Sequence, residues 1–103
     1  MPINRKSELF ELLLKHREEL RQFGVKRCGV FGSFARGQQT DRSDVDILVE
    51  FEPGKKSFDN FMHLAFFLED KIGRKVELTT PESLSPYISP HILREVEYAS
   101  IGN

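Results

Sequence analysis

Gly32-Ser33-Phe34-Ala35-Arg36-Gly37 and, after a short polar loop, Ser43-Asp44-Val45-Asp46-Ile47-Leu48-Val49 are the stretches that decide how this chain folds. In the second, Val45, Ile47, Val49 and Phe51 alternate with Asp44, Asp46, Leu48 and Glu50, the period of a strand with one face in a core. Asp44 and Asp46 therefore project from the same, opposite face. Two adjacent carboxylates repel unless a cation lies between them, and magnesium is the usual oxygen-seeking ion. In the first stretch, Gly32 lets the backbone approach phosphate oxygens, while the Ser33 hydroxyl and the N–H groups of a helix start donate to them. Arg36, about one turn on, reaches the same phosphates. A Gly-Ser dipeptide alone carries no information, nor does Asp-x-Asp on a strand; a phosphate cradle joined to metal-holding acids points to nucleotide chemistry.

Working outward, Val25–Phe31 reads as a first strand leading into the Gly32-Ser33 turn, with a short helix at Phe34–Gln38. Before it, Ser7 can cap a helix with Leu9, Leu13, His16 and Leu20 at helical spacing, stopped by Gly24. After the acidic strand, Glu52-Pro53-Gly54-Lys55-Lys56 is a loop, and Ser57 caps a long helix over Phe58–Ile72 closed by Gly73. Its expected buried stripe is Phe58, Phe61, Met62, Ala65, Leu68 and Ile72, which leaves Phe67 and Leu64 exposed or covered by another chain. Lys75–Thr79 reads as a third strand, with Val76 and Leu78 inward and Glu77 facing the other way. Ser89-Pro90 starts a last helix whose stripe is Ile92, Leu93, Val96 and Ala99. The expectation is one α/β (α+β) domain over residues 1–103: a short mixed sheet of about three strands, helices on one face, the other face open around the acids.

Composition narrows the possibilities. Hydrophobic residues are 39% and charged residues 30%, the balance of a globular domain. No apolar run reaches the roughly 20 residues that span a bilayer, and Met1-Pro2-Ile3-Asn4-Arg5-Lys6 lacks a secretory apolar segment. The single cysteine, Cys28, cannot form an internal disulfide; it is expected buried on a strand in a protein of the reducing cytoplasm. A net charge of −1 excludes strong general attraction to nucleic acid. Apart from Arg36, the basic residues read as solvated surface, as do His16, His63 and His91.

Nucleotidyl transfer requires neutralised triphosphate charge and an aligned nucleophile and leaving oxygen, which two metal ions about 3.5–4 Å apart accomplish in many phosphoryl-transfer sites. Asp44 and Asp46 can bridge such a pair. A third carboxylate from a neighbouring strand completes the set, and Glu77 is the candidate with that context.

Gly32-Ser33, ten intervening residues and Asp44-Val45-Asp46 resemble the signature of the DNA polymerase β-type nucleotidyltransferase superfamily. The fuller string is similar to the minimal nucleotidyltransferases within it, as are Gly73-Arg74-Lys75-Val76-Glu77-Leu78 and Ile92-Leu93-Arg94-Glu95. The resemblance implies a magnesium-dependent enzyme acting on ATP, with two Mg²⁺ ions on the catalytic acids Asp44, Asp46 and Glu77. Many members carry aspartate at the third position; Glu77 keeps the charge and adds a methylene. Members commonly pair with a HEPN-domain toxin as its antitoxin, some by attaching AMP to a tyrosine of the toxin. Larger relatives hold the acceptor on an extra helical domain; only 26 residues follow Glu77 here, so a partner protein is expected to present the hydroxyl. The alternatives are an antitoxin that neutralises by complex formation without catalysis, and a small-molecule nucleotidyltransferase with its cleft between two copies in a homo-oligomer.

Overall fold

A computed structural model describes residues 3–101. Residues 1–2 and 102–103, part of the expected domain and of the expected leader-free N-terminus, lie outside the described residues. The elements run α1 (Lys6–Lys15), α2 (Arg17–Gln22), β1 (Val25–Phe31), α3 (Gly32–Arg36), β2 (Val45–Phe51), α4 (Phe58–Ile72), β3 (Val76–Thr79), a 3-10 turn (Pro81–Ser83), α5 (Ser89–Glu95) and β4 (Glu97–Ala99).

The sheet has four strands in the order β3-β2-β1-β4. β1 lies antiparallel to β2 and β4, and β2 lies parallel to β3. Parallel neighbours need a crossover, and α4 supplies it. Ser57 accepts the Asn60 N–H at 3.1 Å to cap that helix, and Gly73 closes it in the left-handed conformation. Both ends fall where the sequence places them.

Three expectations are corrected. The first helix breaks at His16, whose ψ of 20° leaves the helical range, and Ser7 is inside α1 rather than capping it. Glu8 does the capping, its Oε1 accepting the Arg5 N–H at 3.0 Å. The last helix ends at Glu95: Val96 turns extended, Glu97–Ala99 form a fourth strand, and Leu93 is exposed. A three-residue strand is too short to display alternation, so Val96 and Ala99 mimic helical spacing, whereas the unpaired edge of β1 selects a strand.

On α4 the buried arc is Leu64, Leu68 and Ile72, rotated toward Leu64 and Phe67. Phe67 is not a free surface, because its ring meets His16 edge-on at 5.6 Å and Phe23 at 5.3 Å. The exposed aromatics of the helix are Phe58 and Phe66.

The core joins Leu9, Leu13 and Leu20 of α1–α2 and the α4 arc to Val30, Val45, Ile47 and Val49 of the sheet. Cys28 lies in it, and burial pushes its thiol up to about 12. Leu48, on the acidic side of β2, is buried too, so that face is open only near its acids. Among the described residues no helix is long and apolar enough to cross a membrane.

Candidate active site

Strand register builds the site. In the parallel β2–β3 pair Asp46 stands beside Glu77, and in the antiparallel β1–β2 pair it stands beside Phe31, the residue before the turn. Asp44 lies one residue before β2 begins rather than within it. Gly32 follows Phe31 with φ at +75°, and a Cβ there would collide with the Asp46 Oδ2. The glycine is therefore required by the carboxylate packed against it as well as by the turn.

The charges gathered there are unbalanced. Burial, then Glu77, Asp44 and Glu95 in turn, pushes the Asp46 carboxyl up to about 6, with Arg36 alone opposing. Asp44 and Asp46 are half-buried and Glu77 is exposed. Among the described residues no group of three or more His, Cys, Asp or Glu side chains is placed to hold a metal ion by itself. An open acidic shelf suits Mg²⁺, which keeps waters and takes one or two carboxylates with the oxygens of a phosphate substrate. The all-oxygen donor set and the surplus negative charge on Asp46 both fit that ion.

Gly32 and Arg36 have a partner that sequence reasoning did not single out. The Gly32 N–H donates to Glu95 Oε2 at 2.7 Å, and Arg36 Nη1 donates to Glu95 Oε1 at 2.7 Å. Although burial works against it, these two donors hold the Glu95 carboxyl below the usual range. The sequence signal was the Ile92-Leu93-Arg94-Glu95 string, which on its own carried only a resemblance.

The pattern of the nucleotidyltransferase domain matches residues 13–99. The chain is a member of the nucleotidyltransferase-domain family. The protein adenylyltransferase MntA of Thermococcus cleftensis is 45% identical over 92 residues, 88% of this chain and 92% of that one. A solved structure assigned as a minimal nucleotidyltransferase superposes with a TM-score of 0.71 at 34% identity, over 85% of this chain and 93% of the other. One chain of a solved complex between a tri-AMPylated Shewanella oneidensis HEPN toxin and an MNT antitoxin shares the fold, with a TM-score of 0.63 at 18% identity over 90% of this chain and 70% of that one. The expected family, the minimal nucleotidyltransferases, is thus the right one.

In this nucleotidyltransferase Arg74, expected as solvated surface, organises the loop that delivers Asp44. Its Nη1 donates to the carbonyls of Thr40 at 3.0 Å and Ser43 at 2.9 Å, and its Nη2 to Asn4 Oδ1 at 2.8 Å. The guanidinium also stands 5.2 Å from the centroid of the buried Phe34 ring. Replacing Arg74 by alanine frees the carbonyls of Thr40, Asp41 and Ser43 and the N-terminal segment. We expect a loss of about 2 kcal/mol in urea unfolding and weaker Mg²⁺-dependent nucleotide binding by titration calorimetry. Lysine, a single point donor, is not expected to restore either.

Proposed function

We propose that this chain transfers AMP from ATP to a hydroxyl, a tyrosine, of a HEPN-type toxin and so acts as its antitoxin. The observation carrying this reading is the register that sets Asp46 beside Glu77, with Asp44 at the strand entrance and Gly32 against the Asp46 carboxylate. The protein adenylyltransferase activity of the Thermococcus cleftensis relative and the HEPN toxin bound by the Shewanella oneidensis antitoxin support it. A lone buried thiol fits the reducing cytoplasm in which such pairs would act.

Asp44, Asp46 and Glu77 would hold Mg²⁺, which supplies charge neutralisation along the triphosphate and polarises the α-phosphorus. Gly32, Ser33 and Arg36 orient the phosphates so that the leaving oxygen lies in line with the nucleophile. The acceptor oxygen bonds to the α-phosphorus, the bridge to the β-phosphorus breaks, and pyrophosphate departs. The hydroxyl proton passes to a carboxylate oxygen, and exposed Glu77 is the acid that an incoming acceptor meets.

The test is the intact mass of the neighbouring gene's protein after co-expression with this chain. Wild type is expected to add one or more AMP masses, and the Asp44→Asn/Asp46→Asn variant none. A stable complex without any mass gain would instead support neutralisation by binding alone.

A further inference from the structure

We propose that Glu95 is the positioning residue of the nucleotide turn: its single carboxylate ties the Gly32 N–H to the Arg36 guanidinium, and so fixes the turn and the guanidinium edge that is left for the triphosphate. The inference rests on the nucleotidyl-transfer reading and assigns a role to a residue outside the acidic trio.

The sequence brings Glu95 there by a steric route. Gly29 in β1 pairs with Tyr98 of β4. A Cβ on Gly29 would lie 2.6 Å from Val96 Cγ2 and 2.9 Å from the Glu97 carbonyl oxygen. Only because that Cβ is missing does the chain close down on β1 directly after α5. Glu95, last residue of α5, is thereby carried over the turn at the far end of the same strand.

Each carboxylate oxygen then takes one donor, both at 2.7 Å, the length of charge-assisted hydrogen bonds. Gln38 Oε1 accepts from Arg36 Nε at 3.0 Å and fixes the other edge of the guanidinium. Nη2 stays uncommitted among the described residues, and that edge is the one available to a phosphate.

A fourth carboxylate beside three others would be expected to harm an anion-binding site. Glu95 is tolerated because its charge is paired with Arg36. Without Glu95 the guanidinium keeps only its Gln38 partner and loses its tie to the turn.

The experiment compares wild type, Glu95→Gln, Glu95→Asp, Arg36→Gln and the Glu95→Gln/Arg36→Gln double variant. Titration calorimetry with Mg²⁺ and a non-hydrolysable ATP analogue is run beside AMP transfer to the partner, with thermal melts to verify folding. Glu95→Gln is expected to weaken analogue binding about tenfold and to slow transfer at saturating ATP about 10²-fold through misplaced phosphates. Glu95→Asp, with the charge retained but the oxygens drawn back, is expected to lose in the same direction. The double variant is expected to be no worse than Arg36→Gln alone, since the effect runs through Arg36. Wild-type values in Glu95→Gln and Glu95→Asp, or additive losses in the double variant, would overturn the inference. Tighter analogue binding by Glu95→Gln would overturn it as well, since the carboxylate would then be an occupant that ATP displaces. Failure of the wild type itself to bind the analogue and transfer AMP sinks the parent reading, and this one with it.

Discussion

Asp46→Asn is expected to remove AMP transfer by at least about 10³-fold, the equivalent of about 4 kcal/mol of metal-mediated transition-state stabilisation. The same variant is expected to be more stable than wild type in metal-free buffer. Asp46 is crowded by burial and by Glu77, Asp44 and Glu95, so its carboxyl is raised from 3.8 to about 6 in the fold. A raised carboxylate pKa means that the folded state binds the proton more tightly than the unfolded chain. The charged form therefore costs stability at neutral pH, and the cost vanishes as pH falls below the unfolded value. Taken at face value the shift corresponds to about 3 kcal/mol; the group is half-exposed, and screening reduces this to about 1–2 kcal/mol. In EDTA the melting temperature of Asp46→Asn should exceed that of wild type by about 5 °C at pH 7. The gap should close between about pH 6 and pH 4. Retained transfer in Asp46→Asn would remove Asp46 from the site, and a lower melting temperature would contradict the electrostatic account.

Gly32→Ala combines two penalties at one position. Alanine at φ +75° carries left-handed backbone strain, and its Cβ would meet the Asp46 carboxylate from below. Either the turn or Asp46 must move, and both belong to the proposed transfer site. We expect a loss of about 1–3 kcal/mol in stability and of about 10²-fold or more in transfer. Gly37 supplies the control: its φ is +71°, but a Cβ there meets nothing within 4 Å. Gly37→Ala should lose about 1 kcal/mol through the backbone alone and keep most of its transfer activity. Equal damage from both substitutions, read by intact-mass time courses and melts, would show that strain and not the Asp46 contact governs Gly32.

The elements that sequence places best are those with strong local signals. The alternation of β2, the Ser57 cap and Gly73 stop of α4, and the span of β1 all depend on neighbours within a few residues. The errors fall where local signals are weak or ambiguous. Phe67 on α4 looks exposed by helical geometry, yet His16 and Phe23 cover it from another part of the chain. Val96 and Ala99 fit a helical stripe, yet the open edge of β1 draws Glu97–Ala99 into the sheet.

The same division runs through the candidate site. Sequence by itself determined the family, the strand carrying Asp46, the Gly32-Ser33 turn and Glu77 as an acid facing away from the core, because each follows from side-chain period and residue type along one stretch. Only the tertiary structure decided that Asp46 and Glu77 are register partners, that Gly32 lies against Asp46, that Arg74 holds the Asp44 loop, and that Glu95 takes the donors expected for phosphate. Those facts are set by hydrogen-bond register between distant strands and by missing Cβ atoms at Gly29 and Gly32, and neither leaves a periodic trace in the chain.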